Sequence, residues 1–246
     1  MHPAGAILAA ESPILKEPAL SWRLLVDERD SAAEQMAADV ALAVECRPTL
    51  RLFRWRGPAF STGFRQAKPD WLDPERCRAA GVELVERPTG GGLAVHGSDL
   101  SCAVVLPQDP RVGLHEPMRR ICAVFQAACS DLSTFGAAIQ WRDEPTESGP
   151  VAYCLAQPSS YALLSGGRKL MGFAVRRFPA SWLIQGSMLV QPIPQALFGL
   201  MPPDVQAAFQ RRALDLQAAV GQDVDEQQLI RHIVERWGEL WDAHAM

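Results

Sequence analysis

The run Arg87-Pro-Thr-Gly-Gly-Gly-Leu-Ala-Val-His96 holds the residues of this chain best suited to gripping a ligand. Gly90, Gly91 and Gly92 lack a Cβ, so backbone N–H groups there can come close to a bound group and take conformations that other residues resist. A cation, Arg87, stands before them, followed by the hydroxyl of Thr89, and an imidazole, His96, stands after. That composition suits a polar or anionic ligand and exceeds what a tight turn needs. Six cysteines are the other reactive groups, at 46, 77, 102, 122, 129 and 154. None forms a C-x-x-C pair and no His/Cys cluster has zinc spacing, so no metal site is expected. Cys102, Cys122 and Cys129 lie in apolar surroundings and read as small buried hydrophobes.

These residues must be positioned by a framework that the rest of the chain describes. Ser31 caps a helix over 31–46, with Glu34 completing a capping box and Met36, Val40, Ala43 and Val44 on one face. Strands are expected at 49–55, 59–63, 82–85 and 100–106, a short helix at 73–80 and a longer one at 116–133, whose buried side holds Met118, Ile121, Cys122, Phe125 and Cys129. Two strand-like runs, 160–164 and 169–175, flank Gly166-Gly167 as a hairpin, and 182–190 is a further strand. Helices at 203–219 and 225–243 follow. Hairpin-joined strands without βαβ alternation indicate an α+β fold: a mixed, mainly antiparallel sheet flanked by helices.

Composition bounds the function. With 246 residues, 48% hydrophobic and 21% charged, the chain is ordinary for a globular protein. A net charge of −4 argues against a general nucleic-acid binder. No apolar run reaches the roughly 20 residues that span a bilayer. Residues 1–20 read as a flexible tail without signal-peptide character, leaving 21–246 as one domain with C-terminal helices at 203–243. A reduced, cytoplasmic protein is the simplest fit. Arg51, Arg54, Arg56, Arg176 and Arg177 read as surface cations, either meeting an acidic partner or simply solvated.

Five blocks in order resemble the biotin/lipoate protein ligase family, and within it the lipoate-attachment enzymes. Glu34-Gln-Met-Ala-Ala-Asp39 is similar to its first-helix block. Leu50 to Trp55 with Phe60-Ser-Thr-Gly63 is similar to its first hairpin, and 87–96 to its glycine loop. Gly167-Arg-Lys-Leu-Met-Gly-Phe-Ala-Val-Arg-Arg177 resembles its lysine motif, and Gln185-Gly-Ser-Met-Leu189 the strand after it. Together the blocks cover roughly residues 30–192.

The resemblance implies an acyl site. Members pass a medium-chain acyl group to a lysine on a small carrier domain. Lys169 is then the cation that stabilises charge on the acyl carbonyl or an adenylate phosphate. Gly172 and Ala174 lie beside the ligand, and Arg87 and His96 contact its head group or frame the loop. Taken alone, Lys169 also reads as a solvated hairpin lysine, His96 as a structural histidine, and Gly172 and Ala174 as strand packing. One branch of the family forms a thioester on a cysteine that precedes a Pro-Ser-x-Tyr segment and the hairpin lysine. Here Cys154 precedes Pro158-Ser-Ser-Tyr161 and Lys169. Otherwise Cys154 is an inert buried thiol.

What this branch implies is octanoyl transfer from acyl carrier protein, with no cofactor. Its acceptors are lipoyl domains, on 2-oxoacid dehydrogenase E2 subunits and the glycine cleavage H protein. The alternative is a lipoate-protein ligase using ATP and Mg. Gly92 fits that alternative, because the cysteine branch tends to carry a larger residue there. Phe173 replaces a small residue of the lysine motif and is expected to reshape the acyl slot. The short region after 195 favours the transferase. A non-catalytic acyl- or carrier-binding protein and a biotin-attaching enzyme are further readings.

Overall fold

In the computed structural model, residues 21–109, 113–133, 138–142 and 152–242 are described. The expected tail at 1–20 and residue 243 lie outside them. Ten strands and seven helices are assigned among the described residues.

The larger sheet has seven strands. It is built around β6 (Asp99–Pro107) and β10 (Ser181–Leu189), which pair antiparallel along their length with Cys102 opposite Gly186. β2 (Thr49–Phe53) and then β1 (Arg23–Val26) extend it on the β6 side. β9 (Arg168–Arg177), β8 (Ala162–Ser165) and β7 (Ile139–Arg142) extend it on the β10 side. Only β1 and β2 run parallel. β6 is buried along nearly all its length because both sheet faces are covered. Leu100, Cys102, Val104 and Leu106 meet helices α3 (His115–Ser130) and α7 (Glu226–Asp242) on one face. Ala103 and Val105 turn to the other face, where α1 (Ala32–Glu45) packs.

A second sheet of three strands places β3 (Ala59–Thr62) between β4 (Glu83–Glu86), parallel, and β5 (Ala94–His96), antiparallel. α2 (Pro74–Ala79), capped by Asp73, connects β3 to β4. A third core joins this sheet to α4 (Gln195–Phe198) and α5 (Pro203–Arg212) through Phe60, Val95, Leu155, Leu197 and Phe209.

The α+β class with a mainly antiparallel sheet and flanking helices is the observed one. The capping box of Ser31 and Glu34, the Gly166-Gly167 turn (φ +56° and +76°) and the buried face of α3 are as expected. Other expectations are corrected. β1–α1–β2 and β3–α2–β4 are parallel crossovers, so βαβ units do occur. β2 and β3 do not form a hairpin, because the Gly57-Pro58 break sends them into different sheets. Val40 and Val44 of α1 are exposed, and Gln35 and Asp39 are buried in their stead. The helix expected over 203–219 is broken after Arg212: Leu214 N–H bonds the Lys169 carbonyl, and Asp215 starts the short α6 (Leu216–Val220). No helix among the described residues is long and apolar enough to cross a membrane.

Candidate active site

A cleft of about 370 Å³, mouth included, opens where the two sheets face each other. β9 and β10 contribute Gly172, Ala174, Gln185 and Ser187, the small sheet contributes Ser61, Ala94 and His96, and Met36, Phe53 and Trp55 add apolar surface. Of the expected site residues, Arg87, His96, Cys154, Gly172 and Ala174 line this cleft. Lys169 lines an adjoining pocket with Gln157, Ser159 and Arg212. Thr89 and the three glycines frame the cleft instead of lining it.

Arg87 explains the loop. Its Nη2 donates to the carbonyls of Gly90 (2.7 Å) and Gly92 (2.8 Å), and its Nη1 to that of Ser61 (3.0 Å). The guanidinium therefore holds the turn from inside. Gly91 has φ +87°, and a Cβ there would lie 3.0 Å from Arg87 Nη2. Gly63 is the unanticipated partner: a Cβ on it would fall 2.0 Å from the Gly91 carbonyl oxygen, so the loop can pack on the end of β3 only against a glycine. Gly63 stands in a recognisable block, but nothing local marks it as a loop contact.

Thr89 anchors the loop to the large sheet by donating to Gln185 Oε1 (2.6 Å). Gln185 Nε2 donates in turn to Asp39 Oδ2 (2.5 Å), and Arg51 Nη1 to Asp39 Oδ1 (2.5 Å). Arg51 is thus a buried ion-pair residue bound to Asp39 and Asp27, not a surface cation. Arg54 pairs with Glu226, and Arg176 lies over Phe64 while donating to the Pro88 carbonyl. Burial pushes the Asp39 carboxyl up to about 6, against the opposing pull of Arg51 and Gln185.

Cys154 is tied to the strand that follows the glycine loop. Its N–H bonds the Leu93 carbonyl (2.9 Å), and Leu93 N–H bonds that of Ala152 (2.8 Å). Lys169 is 3% exposed and does not project into an open cleft. Its ammonium donates to the carbonyls of Cys154 (2.6 Å) and Gln157 (3.2 Å) and to Ser159 Oγ, so it folds back over the cysteine segment. A Cβ on Gly172 would lie 2.9 Å from Lys169 Cε, 3.1 Å from its Nζ and 3.3 Å from Cys154 Sγ. The thiol and the ammonium therefore converge over one bare glycine. Burial lowers the pKa of both Lys169 and Arg87, and for both the opposing influence is the charge of Cys154. Neither cation has a carboxylate partner among the described residues. Cys154 is part-exposed, whereas Cys77, Cys102, Cys122 and Cys129 are buried, and burial pushes the Cys129 thiol up to about 12.

His96 is held at both nitrogens, by Ser61 Oγ at Nε2 (2.8 Å) and Asp99 Oδ2 at Nδ1 (2.9 Å), and stacks on Trp55 with centroids 3.8 Å apart. Asp99 also accepts from Ser101 (2.8 Å), Ser187 (2.7 Å) and Gly97 N–H (3.0 Å). Burial alone would raise its carboxyl, but His96 and the two serines outweigh that and hold it below the usual range. Ser61, Asp99 and Gln185 carried no signal of this role. Phe173 does not line the cleft; its ring packs edge-on against Phe125 of α3, on the other side of the sheet.

A family model described as the lipoyl protein ligase A/B catalytic domain matches residues 31–238. The chain belongs to this family. Among its relatives, the octanoyltransferase LipM of Symbiobacterium thermophilum is 32% identical, across 92% of this chain and 84% of that protein. The LipM of Moorella thermoacetica is 28% identical, across 91% and 88%. By this membership and these relatives the protein is an enzyme, an acyltransferase of the lipoate system. Its fold is shared with a lipoate-protein ligase A bound with ATP, at TM-score 0.72 and 20% identity over 91% of this chain and 92% of that one. It is also shared with a bipartite lipoate protein ligase of Thermoplasma acidophilum, at TM-score 0.68 and 18% identity over 92% and 91%.

Proposed function

We propose that this lipoyl protein ligase A/B family member moves an octanoyl group from acyl carrier protein onto Cys154, and from Cys154 to the lysine of a lipoyl domain. The names of its relatives support octanoyl transfer. The observation that carries the cysteine route is the convergence of Cys154 Sγ and Lys169 Nζ over Gly172, in a cleft that the buried guanidinium of Arg87 also lines, neither cation having a carboxylate partner among the described residues. Buried cations without an ion-pair partner are costly, and an anion formed in the cleft offsets that cost.

Cys154 gives up its proton and the thiolate attacks the donor thioester carbon; a new C–S bond forms, the donor's own C–S bond breaks, and the departing donor thiolate takes up an equivalent proton. One thioester replaces another, so the step needs no ATP. Lys169 and Arg87 favour the thiolate and the oxyanion that develops on the carbonyl. The acceptor lysine, entering as a neutral amine, then attacks the Cys154 thioester; an amide forms and the thiol is regenerated. The apolar part of the cleft, with Met36, Phe53 and Ala174, takes the hydrocarbon chain. Acceptors of the E2 and H-protein type fit this reading, and the T. acidophilum ligase is described together with its E2 lipoyl domain as a lipoylation system.

Incubation with octanoyl-carrier protein in the absence of ATP tests the route. The expected result is a protein mass increased by one octanoyl group, on the peptide that contains Cys154, and no adduct in Cys154→Ala. Strictly ATP-dependent transfer of free lipoate with Cys154 unmodified would establish the ligase reading, which the three-glycine loop with Gly92 favours.

A further inference from the structure

Arg87 is a buried guanidinium whose acceptors are the carbonyls of Ser61, Gly90 and Gly92 and the hydroxyl of Ser61. The carboxylate of this cluster, Asp99, does not touch it. Between them stand two side chains in series. Arg87 Nη1 donates to Ser61 Oγ (3.2 Å), Ser61 Oγ meets His96 Nε2 (2.8 Å), and His96 Nδ1 meets Asp99 Oδ2 (2.9 Å). The ionised Asp99 carboxylate can only accept, so Nδ1 carries a proton facing it; in the neutral imidazole Nε2 then accepts from the Ser61 hydroxyl, whose oxygen accepts from Arg87. Every link is directional, and every member is nearly or fully buried. Ser101 of β6 and Ser187 of β10 fix Asp99 to the large sheet, while His96 and Ser61 belong to the small one. Trp55 clamps the imidazole by stacking on it and donates its own Nε1–H to Ser101 (3.0 Å).

We infer that Asp99, His96 and Ser61 form a positioning relay that fixes Arg87 in the cleft that Cys154 also lines, while keeping the carboxylate two side chains away from the guanidinium. The inference rests on the reading of Cys154 as the acylated residue. A direct Asp–Arg pair would orient Arg87 equally well, but it would cancel the field that Arg87 exerts on the cleft. Hydrogen bonds through a hydroxyl and an imidazole transmit orientation and leave the positive charge uncancelled in the cleft that the thiol also lines. Ser61 is fully buried and is the link between His96 and Arg87.

The test is the rate at which iodoacetamide alkylates Cys154 at neutral pH, read by peptide mass in the full chain carrying Cys46→Ser. Ser61→Ala is expected to slow alkylation about tenfold, the scale of a lost hydrogen bond to a charged group. The loss should vanish when Arg87→Gln is already present and persist when Lys169→Met is present. Ser61→Thr should restore the rate, and Asp99→Asn should behave like Ser61→Ala, which covers the case of an alanine variant that does not fold. An equal loss in the Arg87→Gln background marks a merely structural serine and overturns the relay. So does an unchanged rate in Ser61→Ala and Asp99→Asn when Arg87→Gln slows alkylation, and the thioester reading then survives. Wild-type protein that forms no octanoyl adduct with octanoyl-carrier protein overturns the thioester reading, and the relay with it.

Discussion

Lys169 and Cys154 meet where a side chain is missing. A methyl at Gly172 would sit 2.9 Å from Lys169 Cε and 3.3 Å from Cys154 Sγ, closer than such contacts normally come. The atoms in the way belong to the end of a flexible side chain, so the fold can yield by moving Lys169 aside. Gly172→Ala is therefore expected to change the urea midpoint little, yet to slow acylation of Cys154 at least about tenfold, since a small misplacement of a reacting group costs that much. Single-turnover acylation followed by mass, beside urea titrations, checks this; acylation at the wild-type rate shows that the convergence is not used. At this scale the sequence was legible in part. Arg87 stands out by its place before the glycines, and Lys169 and Cys154 by their places in motifs that resemble the family's; taken alone, the last two read as a solvated lysine and an inert thiol. Ser61, Asp99 and Gln185 do not, because a serine or glutamine in a strand looks solvated until a partner distant in sequence arrives. The direction of Lys169 was also hidden, since its three acceptors lie on a segment without regular structure.

Helix α1 shows why element faces are harder to read than elements. Its apolar periodicity picks out Met36 and Ala43 correctly but also Val40 and Val44, which are exposed. The helix docks instead through polar residues, Gln35 and Asp39, which reach Arg51 and Gln185. Hydrophobic patterning cannot register a buried carboxylate. The break after Arg212 was hidden for a related reason: the local propensity of Ala213-Leu214 is helical, and pairing with Lys169 overrides it. Asp39 carries a pH prediction. Its carboxyl titrates at about 6 when folded and at about 3.9 when unfolded. Between those values the folded state binds the extra proton, so stability falls as pH rises through the window, by at most about 1.4 kcal/mol per pH unit. Relative to Asp39→Asn, which cannot titrate, wild-type protein should lose unfolding free energy from about pH 4 to 6 and change no further above about pH 7. Urea titrations across that range measure it. A difference that grows with pH would mean that Asp39 stays ionised and is held by Arg51.

Across the whole molecule, the α+β class and the order of most elements follow from hairpin signals and helix periodicity. The division into two sheets does not, because strand pairing between distant segments leaves no local trace, and Gly57-Pro58 signals a break without saying where the chain goes next. That division creates the site, since the cleft lies between the sheets. It also gives the large sheet two different faces. One carries Gln185 and Ser187 toward the cleft, and the other is sealed by α3 and α7. Trp237 of α7 is the largest fully buried side chain on the sealed face, edge-on to Trp22 with ring centroids 4.8 Å apart. Removing it leaves a cavity within the core behind the large sheet, and Trp237 does not line the cleft. Trp237→Ala is expected to cost about 3–5 kcal/mol of stability, a large part of the 5–15 kcal/mol typical of a domain. The acylation rate per folded molecule should stay at the wild-type value, because the sheet stands between that cavity and Cys154. Urea unfolding and single-turnover acylation, corrected for the folded fraction, measure the two quantities separately. If the rate drops in the folded fraction, the helices behind the sheet set the geometry of the cleft, and the two faces are mechanically one.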